Sequence, residues 1–229
     1  NAFAPMEVIA TPDEVARLDA AHAAEAFLVF PEDRLHSVRM RDQLPQRWIS
    51  RGPTTTFTDS ARRGEYLAFQ LGVYARRALG DVRVQFTDLH AGGAMIAAAR
   101  LHSINQGGTN WDGAPFTKRV DVAAGAVQAM WCGVDVPLTA SPGTYTGRAS
   151  VSAVGEAPVT VAITLVVGSD SVLAGGANEP EKLTRLKWLN STMGQKNDVI
   201  APYTPIVVTG RTLRFLGRQL TLDASGLPA

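Results

Sequence analysis

Tyr145-Thr146-Gly147-Arg148-Ala149-Ser150-Val151-Ser152-Ala153 leads through the turn Gly155-Glu156-Ala157-Pro158 into Val159-Thr160-Val161-Ala162-Ile163-Thr164-Leu165-Val166-Val167. Both runs have a period of two. Tyr145, Gly147, Ala149, Val151 and Ala153 alternate with Thr146, Arg148, Ser150 and Ser152. Val159, Val161, Ile163, Leu165 and Val167 repeat the pattern. Successive side chains of a strand point to opposite faces, so each run predicts a half-buried strand. Outward from this pair the same period recurs in Glu65–Tyr74, where Leu67, Phe69, Leu71 and Val73 share a face, and in Val82–Thr87. Turn signals separate the runs at Leu79-Gly80-Asp81, Gln106-Gly107-Gly108 and Ser141-Pro142-Gly143. Strands at this spacing, with no long helical pattern between them, predict an all-β fold: an Ig-like antiparallel β-sandwich.

A short N-terminal helix precedes the strands. Thr11-Pro12-Asp13-Glu14 has an N-cap, a proline at the first helical position and a capping-box acid. The helix is expected to run to about Ala24, with Val15 and Leu18 facing the core. The sandwich with this helix is assigned to residues 1–168. The polar, glycine-rich stretch that follows predicts a linker over 169–182. Residues 183–229 predict an additional β segment, the start of a second β domain. Its candidate strands are Leu183–Leu189, Ile206–Thr209, Thr212–Leu216 and Gln219–Leu222. Asn1-Ala2-Phe3 has neither the basic nor the apolar region of a signal peptide, as a mature secreted protein also would not. Gly226-Leu227-Pro228-Ala229 reads as a turn, which suggests a fragment.

Composition sets limits on function. The chain has 229 residues, 45% of them hydrophobic and 19% charged, which argues against disorder and against a coiled coil. Lys+Arg is 22 and Asp+Glu is 21, a balance that offers no electrostatic footprint for nucleic acid. No apolar run approaches the ~18 residues of a membrane span. Cys132 is the single cysteine, so no internal disulfide can form.

Candidate chemistry is sparse. Asp13-Glu14 is explained by the capping box, and Glu32-Asp33 after Pro31 predicts a turn. His22, His36, His90 and His102 show no metal-ligand spacing, so no metal and no cofactor are expected. Cys132 lies on the candidate strand Val127–Val136 and reads as packing. The loop Asn105-Gln106-Gly107-Gly108-Thr109-Asn110-Trp111-Asp112-Gly113 stands out. An aromatic ring beside amide and acid groups can stack on a sugar and bond its hydroxyls, so Asn110, Trp111 and Asp112 are the candidate carbohydrate-binding residues. The bland reading is a long connection in which Trp111 packs on the sandwich edge or a neighbouring domain. Trp131 and Trp188 read as core or interdomain anchors. Asn190-Ser191-Thr192 is a glycosylation triplet that also arises by chance.

An ordered series of segments resembles bacterial proteins of the glycoside hydrolase family 123 type. It begins with Gly64-Glu65-Tyr66 and Phe69-Gln70, and continues through Asn105–Thr109, Gln128–Trp131, Val134-Asp135-Val136-Pro137 and Pro142–Gly147. It ends with Leu183–Thr192 and Ala201-Pro202-Tyr203. Asn190 departs from it, standing where an acid is expected. The resemblance implies a β-sandwich region ahead of a catalytic (β/α)₈ barrel, in a secreted, periplasmic or cell-surface bacterial protein. In that family an adjacent Asp-Glu pair in the barrel performs substrate-assisted cleavage of N-acetylhexosaminides. No catalytic residue carries over to this chain, because the chain shows no alternating strand–helix pattern for the barrel. The partners implied are a catalytic domain in the same parent chain and, through the 105–113 loop, a glycan. Three readings stay open: a noncatalytic region of a glycoside hydrolase-like protein, a carbohydrate-binding module, and an Ig-like protein-interaction scaffold.

Overall fold

A computed structural model gives the fold of residues 7–195 and 198–229; the Asn1-Ala2-Phe3 terminus lies outside the described residues. In chain order the elements are α1 (Pro12–Ala21), β1 (Phe27–Glu32), α2 (Gln46–Arg51), β2 (Thr56–Arg63), β3 (Tyr66–Ala75), β4 (Arg83–Phe86), β5 (Leu89–Ala91) and β6 (Ala94–Ile96). There follow β7 (Leu101–Ser103), β8 (Gly107–Thr109), β9 (Pro115–Thr117), β10 (Val127–Asp135), β11 (Gly143–Ser152) and β12 (Val159–Ser171). The last three strands are β13 (Val207–Thr209), β14 (Thr212–Phe215) and β15 (Arg218–Thr221). Every strictly alternating run in the sequence is a strand.

Two units form. The first comprises the described residues up to Asn110 together with Ala114–Ser191. It is the sandwich. One sheet has the order β1-β3-β10-β7; the other has the order β2-β12-β11-β5-β6, with β4 also on β11. Pairing is antiparallel except between β2 and β12, which run parallel. The faces turned toward each other are those the period of two selects. Leu67, Phe69, Leu71 and Val73 of β3 pack with Tyr145, Val151, Ile163 and Leu165 of the opposite sheet. Each such side chain contributes about 1.5–3 kcal/mol by leaving water. Cys132 is in the same layer, fully buried, and its thiol donates to the Met130 carbonyl at 3.3 Å.

All ten residues of β3 are buried, so its second face needs a cover as well. At one end the cover is a smaller cluster of Leu18 from α1, Leu44, Trp48 from α2, Phe30 and Tyr74. Trp48 stacks flat on Phe30, with ring centroids 4.3 Å apart. Its ring occupies the space that a Cβ at Gly72 would need. The capping box of α1 forms as the sequence predicts, with Thr11 N–H donating to Glu14 at 2.8 Å. The helix stops at Ala21, short of Ala24: the His22 N–H closes its last turn on Leu18 O and Asp19 O, and Arg76 adds a bond to Asp19 O at 2.7 Å.

Polar side chains fasten the middle of that cover. Pro31-Glu32 is not a turn: it ends β1, and Glu32 is only 3% exposed. Its carboxylate accepts from Trp48 Nε1 at 2.5 Å, from Arg51 Nη2 at 2.8 Å and from Arg47. Asp33 does open the turn and accepts from the Leu35 and His36 N–H groups. Gln70, opposite Glu32 in the sheet, accepts from Val38 N–H at 2.8 Å and donates to Asp33 O at 3.2 Å. Glu65 accepts from Arg34 Nη1 at 2.6 Å.

The other end of the cover corrects an expectation. Leu183–Leu189 is not a strand: Thr184–Asn190 is a run of 3₁₀ turns that packs against β3 and β10. Leu183 precedes the run in a left-handed conformation and Leu189 is exposed, so the leucines do not form the alternating face that a strand would need. Buried Thr184 anchors the run by donating to Gly176 O at 2.7 Å. β12 itself continues to Ser171, into the stretch expected to be a linker over 169–182. The units therefore divide after Ser191.

The second unit holds Trp111–Gly113 and the described part of Thr192–Ala229. Its strands form an antiparallel meander, β13-β14-β15, at the positions expected from the sequence. Val208, Leu213 and Leu220 lie side by side across the meander, flanked by Val207, Arg214 and Gln219 on the opposite face. Val208 is 64% exposed. Among the described residues no helix is long and apolar enough to cross a membrane.

The Glu32 cluster yields a stability test. Glu32→Ala removes the acceptor of the buried Trp48 N–H and the counter-ion of two guanidinium groups, and is expected to cost about 3 kcal/mol. Urea unfolding measures it; Glu32→Gln, which keeps an oxygen for Trp48, should fall between the two.

Candidate functional site

The loop that stood out in the sequence is a hairpin, β8 paired with β9, and its amides hold it to both sheets. Asn105 Oδ1 accepts from Trp131 N–H at 2.6 Å, extending the edge of β10 past its pairing with β7. Gln106 Oε1 accepts from Val84 N–H at 2.6 Å on β4, which belongs to the other sheet. Asn190 Oδ1 accepts from Thr109 N–H at 3.2 Å within β8. A Cβ at Gly108 would overlap that Asn190 oxygen, so the close approach depends on glycine.

Asn110 closes the hairpin by donating its backbone N–H to Ala114 O at 2.8 Å. It falls in the first unit, whereas Trp111 and Asp112 fall in the second. Trp111 is 90% exposed. Trp131 is half-buried, and Trp188 is 55% exposed with the Arg185 guanidinium 5.4 Å from its ring centre, so Trp188 is not a core residue.

Between β4, β7, the β8–β9 hairpin and the 3₁₀ turn that ends at Asn190 lies an open groove of about 670 Å³. Phe86 and Phe116 supply apolar wall; Gln85, His102, Gln106 and Asn190 supply polar groups. No Asp, Glu, Lys or Arg is among the described residues lining it. Sequence reasoning missed this groove because its lining comes from four separated segments, none of which carries a motif.

At the groove floor, Tyr66 Oη lies 2.8 Å from His102 Nε2. Tyr66 reaches across β10 at Gly133, which stands opposite His102 and whose missing Cβ leaves room for the phenol. Burial pushes the Tyr66 phenol well above its usual range. Burial also holds the His102 imidazole below its usual value, against the weaker opposing pull of Asp135. Both groups are thus neutral near neutral pH. Among the described residues no cluster of His, Cys, Asp or Glu is placed to hold a metal ion.

The fold is an all-β sandwich, with a short helix before it and a three-stranded meander after it. No family model and no curated protein matches the chain. Among solved structures, a family 123 glycoside hydrolase from Clostridium perfringens is similar at 18% identity and a TM-score of 0.46, over 61% of this chain and 27% of that one. A DUF4466 family protein from Parabacteroides merdae is similar at 12% identity and a TM-score of 0.32, over 60% of this chain and 43% of that one. PapD-like domain 7 of human CEP192 is similar at 12% identity and a TM-score of 0.27, over 52% of this chain and 83% of that one. All three likenesses are distant, and this chain spans less than half of either bacterial protein.

The His102 shift has a sign. With the folded value lowered from 6.5, the unfolded chain binds the proton more readily between the two values, so stability rises with pH in that window. The stabilisation is fully present above about pH 6.5 and is lost as the pH falls toward the folded value. Urea midpoints measured from about pH 7 down to about pH 5 should fall, and fall less in His102→Asn. Equal slopes in the two proteins would assign the pH dependence elsewhere.

Proposed function

We propose that this chain is a noncatalytic β-sandwich region of a secreted bacterial glycoside hydrolase-like protein, periplasmic or at the cell surface. Its role is to brace a catalytic region of the same parent chain, or to shape one wall of that region's cleft. One observation carries the reading: the residues in which the sequence resembles family 123-type proteins serve the fold. Gln70 holds the 33–38 loop, Asn105 extends β10, and Tyr145 donates its hydroxyl to Ser141 O at 2.8 Å. Asn190, where the resemblance expects an acid, secures the β8–β9 hairpin. Each of these bonds is made to a backbone group of the fold itself. The meander supports the same reading, since short strands with one apolar face gain stability from a neighbouring layer.

Hydrolysis tests it. The purified chain should give no turnover of aryl glycosides, N-acetylgalactosaminides included. Turnover that co-purifies with this chain and persists against a mock preparation would overturn the proposal.

A second reading, glycan binding through Asn110, Trp111 and Asp112, is favoured by the exposure of Trp111. It expects signals on a glycan array that vanish in Trp111→Ala. Silence across plant, mucin and glycosaminoglycan sugars would count against it.

A further inference from the structure

We infer that the groove between β4, β7 and the β8–β9 hairpin is a binding site for a neutral carbohydrate. It is separate from the Asn110–Asp112 tip, and it stands whether or not the chain braces a catalytic region.

The ligand class follows from what lines the groove. Phe116 is 41% exposed there, and Phe86 adds a second apolar surface. A sugar ring presents C–H faces that stack on such rings. Two of the groove's amides are fixed as donors. Gln106 and Asn190 have their carbonyl oxygens committed to the Val84 and Thr109 N–H groups. Their –NH₂ ends have no acceptor among the described residues, and both side chains line the groove. Accepting a hydrogen bond at the carbonyl polarises an amide and strengthens it as a donor. It also fixes the orientation, since flipping either amide breaks a bond to the backbone, so little side-chain entropy is lost when a ligand arrives.

Charge narrows the class further. A phosphate or uronate would lose its hydration without meeting a cation, and an ammonium group would meet no carboxylate. His102 does not supply the charge, because burial favours the neutral imidazole. Hydroxyl and acetamido oxygens on a neutral sugar fit the donors; ionised ligands do not.

Calorimetric titration of the full chain tests the assignment. The ligands are neutral oligosaccharides (cello-, xylo-, malto- and chito-oligomers) and an oligogalacturonate. Binding of a neutral oligomer is expected, weakened about tenfold or more in Phe116→Ala and unchanged in Trp111→Ala. The side-chain amide resonances of Gln106 and Asn190 should shift during the same titration, a readout that needs no variant. Three results would overturn the assignment: no binding by any neutral oligomer, tighter binding of the galacturonate, or loss in Trp111→Ala with Phe116→Ala unaffected. None of these bears on hydrolysis, so failure here is distinguishable from failure of the bracing role.

Discussion

A strand buried on both faces must be given two layers of neighbours, and β3 is such a strand along its whole length. One layer is the opposite sheet. The other has to be assembled from pieces: α1 and α2 at one end, the 33–38 loop in the middle, the 3₁₀ turns before Asn190 at the far end. Pieces without regular ladders leave backbone groups to be satisfied by side chains, and an unmet buried polar group costs about 1–3 kcal/mol. That accounts for the buried Gln70 and Thr184, while the buried Glu32 meets the side chains of α2. Each brings hydrogen-bonding capacity to a place where a sheet cannot supply it.

The same logic governs the hairpin. Asn105 and Gln106 are adjacent in sequence, yet one bonds the edge of the first sheet and the other the edge of the second. A two-residue step thus ties the two layers together at the mouth of the groove. The hairpin is therefore held in place whether or not a ligand is present, which is the condition for a site that loses little entropy on binding.

How much was legible in the sequence depended on where the information lay. Alternation in Glu65–Tyr74, Tyr145–Ala153 and Val159–Val167 is local, and each run is a strand facing the predicted way. The capping box at Thr11 is local too. Glu32 escaped because its partners, Arg47, Trp48 and Arg51, follow fifteen to nineteen positions later. Leu183–Leu189 suits a strand as well as a 3₁₀ turn, and what decides it is a contact distant in sequence, the Thr184 hydroxyl on Gly176 O. The groove was invisible for the same reason as Glu32. The chemistry of Asn110, Trp111 and Asp112 is visible in the sequence, whereas the bonds that Asn105 and Gln106 make to the two sheets are not.

Cys132 gives the sandwich an internal clock. The thiol is wholly enclosed between the sheets, and burial keeps it protonated far above its usual range. Alkylating reagents attack the thiolate and need access to it, so a folded molecule offers them nothing. Reaction waits on the rare moments when the two sheets part. With only one sulfhydryl in the chain, the rate of its modification reports on those openings at a single known place, without any label having been introduced.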